Sequence, residues 1–242
     1  MIYFLIIIAI IAWIIGEAIF YFTHQQPLTE YEIKQLANKR KFGYVRTKYK
    51  FTSMAVSVNP DFKRSLNPNG QFYKVCVALP ETPSLIAALL KSKKHEWIVH
   101  AIEKNGEIIC LWANKGINNK SVRNYLGLDS LIKVCKGLEG ECVLEFHNHP
   151  NSNPQLYNNL FESEQDKISA NEYGKSLSTN GINFLAFVCE RGRFRKYYMS
   201  ISPMFYPDVA KIENIVKENG ISKHLNYKLH RELGLIFREY AN

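Results

Sequence analysis

The chain has 242 residues, of which 46% are hydrophobic and 13% aromatic, and it carries a formal net charge of +9. This apolar content excludes an intrinsically disordered protein, and the length suffices for one substantial domain with appendages. The five cysteines include no Cys-x-x-Cys pair, which favours free buried thiols in a reducing compartment over disulfides. The basic charge fits a membrane surface, nucleic acid or an acidic protein, and selects none of them.

Residues 2–22 are almost entirely apolar and predict a membrane anchor. A helix of about 21 residues, rising about 1.5 Å per residue, spans about 31 Å, which matches the core of a bilayer. Glu17 is its one charged residue. A cleaved signal peptide is the alternative, but the stretch lacks a basic n-region and an Ala-x-Ala site. We expect a transmembrane anchor over residues 1–25.

Charge predicts the orientation of this anchor. No lysine or arginine precedes it, whereas residues 26–70, a basic juxtamembrane segment, begin with a run of cations. The positive-inside bias therefore predicts a single-pass membrane protein with its C-terminal bulk in the cytoplasm. The cations are Lys34, Lys39, Arg40, Lys41, Arg46, Lys48 and Lys50, and they also fit contact with anionic lipid.

Periodicity and turn signals predict alternating helices and strands after the anchor. Thr29 and Glu32 form the capping box of a helix over Thr29–Lys41, Val45–Val58 is predicted as an interrupted strand, and Asn59–Gly70 as a loop. The next elements are a strand over Phe72–Leu79, a helix from Thr82, a hairpin of Glu96–Ile102 and Glu107–Trp112, a loop over Asn114–Tyr125 and a helix over Leu128–Leu138. They are followed by a strand over Cys142–Phe146, a helix over Ser163–Leu177, a hairpin of Gly181–Cys189 and Phe194–Ile201, and C-terminal helices over Asp208–Glu218 and Ser222–Tyr240.

The motif His147-Asn148-His149-Pro150 carries the strongest chemical signal. Side chains alternate along a strand, so His147 and His149 share a face, and Pro150 ends the strand. Two such imidazoles can bind a first-row metal with a carboxylate as third ligand, the arrangement of a catalytic zinc site with one open position. An isolated His-x-His pair mostly binds no metal, but Ser163 and Asp166 follow in a Ser-x-x-Asp pattern, which makes the combination rarer.

These residues together resemble the JAMM (JAB/MPN) metalloprotease motif, and the His-Asn-His-Pro form looks like its bacterial RadC branch. The resemblance covers about Tyr73–Pro203. It implies an α/β domain over residues 71–205, with a cytidine-deaminase-like mixed sheet flanked by helices, and a separate C-terminal segment over residues 206–242. It also implies a zinc metalloprotease or isopeptidase acting on a protein or peptide conjugate.

The resemblance implies specific roles for five side chains. His147, His149 and Asp166 would hold Zn²⁺, and Ser163 would lie near its water. The family also uses a glutamate at the head of an earlier strand as general base, and the run His95–Ile102 places Glu96 there. The stretch between His149 and Asp166 is longer than in the family, and Asn151-Ser152 replaces its Ser-Gly. Glu162 and Glu164 are therefore alternative ligands.

Three other glutamates are assigned by position. Glu145 precedes the motif with the same parity as His147, so it either supports the site or lies at the surface of a strand edge. Glu103 and Glu107 flank the Lys104-Asn105-Gly106 turn and are expected to be solvated.

Two other functions remain open. The first is a JAB-like scaffold without peptidase activity. The second is association with nucleic acid, which the basic segments Arg191–Lys196 and Lys39–Lys50 would serve, although no helix-turn-helix or zinc-finger spacing is present.

Overall fold

The computed structural model describes residues 28–151, 159–205 and 209–220, together with Trp13, Ile15, Leu225, Lys228 and Leu229. Two compact units share the chain: residues 48–206 form one, and residues 1–47 with 207–242 form the other. The first unit includes residues 48–70, which the sequence assigns to the juxtamembrane segment. No helix among the described residues is long and apolar enough to cross a membrane. The predicted anchor, residues 1–25, lies almost wholly outside them.

A six-stranded open sheet forms the centre of the unit 48–206, in the order β1-β3-β2-β4-β5-β6. Its strands are β1 (Gln71–Ala78), β2 (Trp97–Lys104), β3 (Glu107–Lys115), β4 (Cys142–Asn148), β5 (Asn183–Glu190) and β6 (Arg193–Ser200). Strands β4 and β5 are parallel and the other neighbours are antiparallel. The predicted mixed α/β sheet is therefore confirmed.

Both predicted hairpins are confirmed. The turn between β2 and β3 has positive φ at Asn105 (53°) and Gly106 (85°), and the turn between β5 and β6 repeats this at Arg191 and Gly192. Two successive residues with positive φ define the turn that matches the twist of a hairpin, and Asn-Gly is its strongest sequence signal.

Six described helices accompany these strands. They are α1 (Glu30–Lys48), α2 (Pro60–Ser65), α3 (Thr82–Leu90), α4 (Leu128–Gly137), α5 (Glu164–Thr179) and α6 (Val209–Asn219). Helix α1, apart from Lys48, and α6 belong to the other unit, and the remaining four belong to the unit 48–206. Strands β4 and β5 are buried along their whole length, because both lie inside the sheet with a paired strand on each side; β5 is mostly apolar, whereas β4 also buries Glu145, His147 and Asn148. Helices α4 and α5 contribute Leu131, Cys135, Ala170 and Leu177 to the same core cluster as Phe184.

Two predicted segments are wrong. Helix α1 continues to Lys48, and residues 51–59 form no strand. This segment bonds instead to the region of α3: Thr52 N donates to the Pro80 carbonyl group at 2.9 Å and Ser84 Oγ donates to that of Thr52. Met54, Val56 and Val58 alternate along this segment, so its local pattern favours a strand, but its backbone bonds to Pro80 and Ser84 and not to a described neighbouring strand. The predicted loop 59–70 contains α2, which begins at Pro60 under an N-cap from Asn59.

Two expectations of exposure are also wrong. Glu103 is fully buried, and Lys48 Nζ lies 3.5 Å from its Oε1. Cys76 is exposed and Cys110 half-buried, whereas the other three cysteines are buried; all five are free thiols.

The other unit is described in part. The predicted capping box of α1 is present: Thr29 N donates to Glu32 Oε2 at 2.8 Å and Glu32 N donates to Thr29 Oγ1. The apolar face of α6 packs against that of α1 in one buried cluster, which contains Ile33, Ala37, Ile212, Ile215, Val216, Leu225 and Leu229. Most of the predicted helix Ser222–Tyr240 lies outside the described residues.

Candidate metal centre

The two motif histidines lie at the end of the central strand β4. His147 is the register partner of Ile98 on β2 and of Val188 on β5, so the strand that carries it is paired on both sides. The alternation brings both rings to one face, where the two Nε2 atoms lie 3.1 Å apart. The predicted convergence of the histidines is present.

Asp166 reaches the histidines from the first turn of α5. Its Oδ2 lies 3.5 Å from His147 Nε2 and 3.5 Å from His149 Nε2. Ser163 is the N-cap of this helix and forms a capping box with Asp166: its backbone N and its Oγ both donate to Asp166 Oδ2 at 2.7 Å. The cap therefore fixes the carboxylate that faces the histidines.

Helix α5 holds Asp166 in place because it packs closely on the sheet. A Cβ atom at Gly174 would lie 2.4 Å from Tyr198 Cε1 on β6, so a larger residue there would push the helix away. The two alternative carboxylates take no part in the cluster. Glu162 pairs with Arg195 at 3.5 Å and Glu164 with Lys167 at 3.3 Å.

The three candidate ligand atoms are spaced nearly as a zinc ion would space them. A tetrahedral zinc with ligands at about 2.0–2.2 Å places them about 3.3–3.6 Å apart. Both distances from Asp166 Oδ2 to the histidines, 3.5 Å each, lie in this range, and the distance between the two Nε2 atoms, 3.1 Å, lies slightly below it. Among the described residues this is the one group of three or more His, Cys, Asp or Glu side chains close enough to hold a metal ion. Two imidazoles and one carboxylate also form a usual donor set for catalytic zinc.

Neighbouring groups set the proton position on His149 and the charge of Asp166. The carbonyl group of Asn159 lies 2.8 Å from His149 Nδ1 and accepts a hydrogen bond from it, which in the neutral ring leaves the Nε2 lone pair facing the cluster. Burial alone would raise the pKa of Asp166, but hydrogen bonds with His147 and His149 lower it far below its usual value. Burial alone would lower the pKa of His149, but hydrogen bonds with Asp166 and Asn159 raise it. Asp166 therefore faces the histidines as an anion, the form in which a carboxylate binds a metal ion.

Glu96 opens onto the same cavity as the metal ligands. It immediately precedes β2 and is 7% exposed. The cavity has a volume of about 250 Å³, and its polar lining includes Glu96, Glu145, His147, His149, Ser163 and Asp166. Burial raises the pKa of Glu96, and the charges of His147 and His149 offset part of that rise. All five side chains predicted for the site therefore lie around one cavity.

Comparison of the chain with protein-family models, with curated protein sequences and with solved structures finds no match. The function of the chain is therefore inferred from the residues and geometry of this cavity.

Sequence reasoning missed Asn148, which positions Glu96. Asn148 Oδ1 accepts a hydrogen bond from Trp97 N at 2.8 Å, and its Nδ2 donates to the His95 carbonyl group at 3.2 Å. These two bonds hold the backbone on either side of Glu96 against the end of β4. One signal in the sequence could have indicated Asn148. It lies between His147 and His149, so on a strand its side chain faces away from theirs and is free to contact a neighbouring strand.

Replacing Asn148 by alanine is expected to destabilise the unit 48–206 by about 1–3 kcal/mol, because a buried donor and acceptor lose their partners. The free energy of unfolding in urea, followed by tryptophan fluorescence, measures this loss. Asn171→Ala is the control, since the hydrogen bond from Tyr198 to Asn171 is exposed. Equal stability of the two variants would show that Asn148 does not hold the strand ends together.

Glu145 is buried rather than placed at a surface edge. It lies in the central strand β4, is 6% exposed, and its Oε2 lies 2.9 Å from Nε2 of His100, its register partner on β2. His100 was not singled out from the sequence, because it becomes Glu145's partner only through the pairing of β2 with β4.

Proposed function

We propose that this chain is a zinc-dependent hydrolase of the JAMM type, RadC-like, which cleaves an amide or isopeptide bond in a protein or peptide conjugate. The observation that carries the proposal is the convergence of His147, His149 and Asp166 at nearly zinc spacing beside the buried Glu96. The mixed sheet with flanking helices supports the JAB/MPN, cytidine-deaminase-like form of the fold. A membrane anchor over residues 1–25 and a cytoplasmic catalytic domain remain part of the proposal.

Each residue has a definite task in this proposal. Bound zinc supplies Lewis acidity, which brings the pKa of a water molecule towards about 7 and polarises a carbonyl group. His147, His149 and Asp166 hold the ion. Glu96 accepts a proton from the attacking water and delivers it to the leaving amine.

The hydrogen bonds of Ser163 favour a role in orienting Asp166. A serine hydroxyl group near a zinc-bound water can donate a hydrogen bond to the developing oxyanion, a contribution of about 2.7–4 kcal/mol in other enzymes. The hydroxyl group here donates to Asp166 Oδ2 at 2.7 Å. We propose that Ser163 acts first by orienting Asp166, and that it is free to donate to substrate only when that bond is released.

The basic segments offer less support for a nucleic-acid function. Arg193 pairs with Glu190 at 3.1 Å, Arg195 pairs with Glu162, and Lys48 lies beside the buried Glu103. Cations that are neutralised within the domain add little to a phosphate-binding surface. We therefore keep hydrolysis as the proposed function.

The metal site is tested by measuring bound zinc in the full-length chain, purified in detergent. We expect about one zinc per chain in the wild type and none in His147→Ala/His149→Ala. Loss of a residue that merely supports a metal ligand costs about 10–100-fold in affinity, so loss of two ligands should cost more.

Two carboxylate variants make this test specific. Asp166→Ala is expected to lose the zinc, whereas Glu164→Ala should keep it, because Glu164 lies two residues earlier in the same helical turn and is exposed. Equal zinc content in the wild type and the double-histidine variant would refute the metal site and the hydrolase proposal with it.

A further inference from the structure

A second carboxylate opens onto the catalytic cavity and has no role in the mechanism above. Glu145 lines the cavity with Glu96 and the metal ligands. His100 holds its Oε2, while no described residue forms a hydrogen bond with its Oε1. Because side chains of residues i and i+2 lie about 6.7 Å apart along a strand, Glu145 lies beside the metal ligands rather than among them. Its free oxygen faces space that a substrate would occupy.

His100 keeps this carboxylate in one orientation. The imidazole is fully buried, and its Nδ1 has no hydrogen-bond partner. A neutral ring with its proton on Nε2 donates to Glu145 and leaves on Nδ1 an acceptor rather than an orphaned donor. The Tyr173 ring stacks on His100 with an interplanar angle of 7° and a centroid distance of 6.1 Å. These two contacts restrict the orientation of the His100 ring, and with it that of the Glu145 carboxylate that lines the cavity.

Two aromatic rings flank Glu145 in the cavity. Tyr173 and Tyr197 both belong to its lining, and Tyr197 packs edge-on against His147 with a centroid distance of 5.9 Å. Burial raises the pKa of both phenol groups, and the charge of Glu145 adds to the rise. Both rings therefore remain neutral. A carboxylate beside neutral tyrosine rings is an arrangement that recognises an ammonium group through charge, and aromatic rings can add cation–π attraction.

The charges of the residues that line the cavity also favour an ammonium group. Among the described lining residues, the carboxylates are Glu96, Glu145 and Asp166, and the one lysine, Lys120, is exposed. A zinc ion would balance the charges of Glu96 and Asp166 and leave that of Glu145. A cationic group of the substrate would neutralise the remaining charge of Glu145.

We propose that Glu145, held by His100 and flanked by Tyr173 and Tyr197, binds a positively charged amino group of the substrate close to the scissile amide. The proposal rests on the hydrolase function and narrows its substrate to conjugates that carry a primary ammonium group within about one side-chain length of the cleaved bond. The metal ligands select the reaction, and Glu145 selects the substrate.

The test compares two probes that differ by one charge. Ligand-observed NMR titrations measure how the full-length protein in detergent binds Nα-acetyl-lysine N-methylamide and Nα-acetyl-norleucine N-methylamide. We expect the wild type to prefer the lysine probe by about tenfold. Glu145→Gln should lose this preference, because glutamine can still accept the bond from His100 but carries no charge. Glu107→Gln, an exposed residue on β3, is the matched control and should keep it.

Each outcome is decisive. Equal binding of the two probes by the wild type overturns the proposal, and this comparison does not require any variant to fold. A preference that survives in a folded Glu145→Gln overturns it as well. Because probe binding is measured separately from zinc content, zinc binding without a lysine preference refutes only the subsite. A lysine preference without zinc refutes the hydrolase function and leaves an amine-binding cavity.

Discussion

Glu96→Gln is expected to lower the rate of amide hydrolysis by about 10²–10⁴-fold while zinc binding remains intact, because a positioned general base contributes about that much. Glutamine has nearly the same shape as glutamate but cannot accept a proton. Glu96 lies outside the three-atom metal cluster, so the ligand set of the variant is unchanged. The measurement is kcat/KM on a panel of fluorogenic peptide amides and lysine isopeptides, with the zinc content of each preparation determined alongside.

A charge-matched control separates the role of Glu96 from a general effect of lost negative charge. Glu172→Gln, exposed on α5, should hydrolyse every substrate at the wild-type rate. A Glu96→Gln enzyme as fast as the wild type would exclude Glu96 as the base. A zinc-loaded wild type that cleaves nothing in the panel would favour the non-enzymatic scaffold.

Most of the elements around the site could be predicted from local signals. Asn105-Gly106 marks a hairpin turn, Cys142–Phe146 is a short apolar run, and Ser163 with Asp166 has the spacing of a capping box. Each signal depends on residues within a few positions of one another. Because these elements also carry the metal ligands, the alternation of His147 and His149 sufficed to predict that both face the same side.

The contacts that support the site depend on register between distant segments. Asn148 holds the backbone at Trp97, and Glu145 meets His100, only because Ile98 lies opposite His147 across β2 and β4. A shift of one residue would reverse every side chain, and no local pattern sets that register. These contacts therefore require the structure.

The same limitation explains the wrong expectation for Glu103. A glutamate beside an Asn-Gly turn is ordinarily solvated, and nothing near it in the sequence indicates burial. Its partner is Lys48, at the end of a helix more than fifty residues earlier, whose Nζ also contacts Glu141. The Gly106 N–H donates to Glu103 Oε1 at 2.6 Å, while Oε2 has no hydrogen-bond partner. Lys48 is thus the main counter-charge for a carboxylate that water does not reach.

Lys48→Met is expected to destabilise the unit 48–206 by about 3–5 kcal/mol at neutral pH, because it leaves the Glu103 charge buried without its partner. The double variant Lys48→Met/Glu103→Gln should regain most of this loss, since glutamine keeps an acceptor for Gly106 without the charge. Lys104→Met is the matched control: its ion pair with Glu139 is 33% and 79% exposed and should contribute at most about 1 kcal/mol. Urea unfolding followed by tryptophan fluorescence measures all four proteins.

The pH dependence distinguishes a buried charge from lost packing. Burial already raises the pKa of Glu103 in the folded state, although Lys48 opposes the rise, and removing Lys48 should raise it further. A carboxyl group whose pKa is higher in the folded than in the unfolded state binds more protons when folded, so its cost to stability grows as the pH rises between those two values. The loss in Lys48→Met should therefore shrink as the pH falls towards the ordinary pKa of 4.5, and it should vanish below that pH, where the carboxyl group is neutral in both states. A loss that stays constant with pH would mean that the methylene chain of Lys48, and not its charge, stabilises the unit.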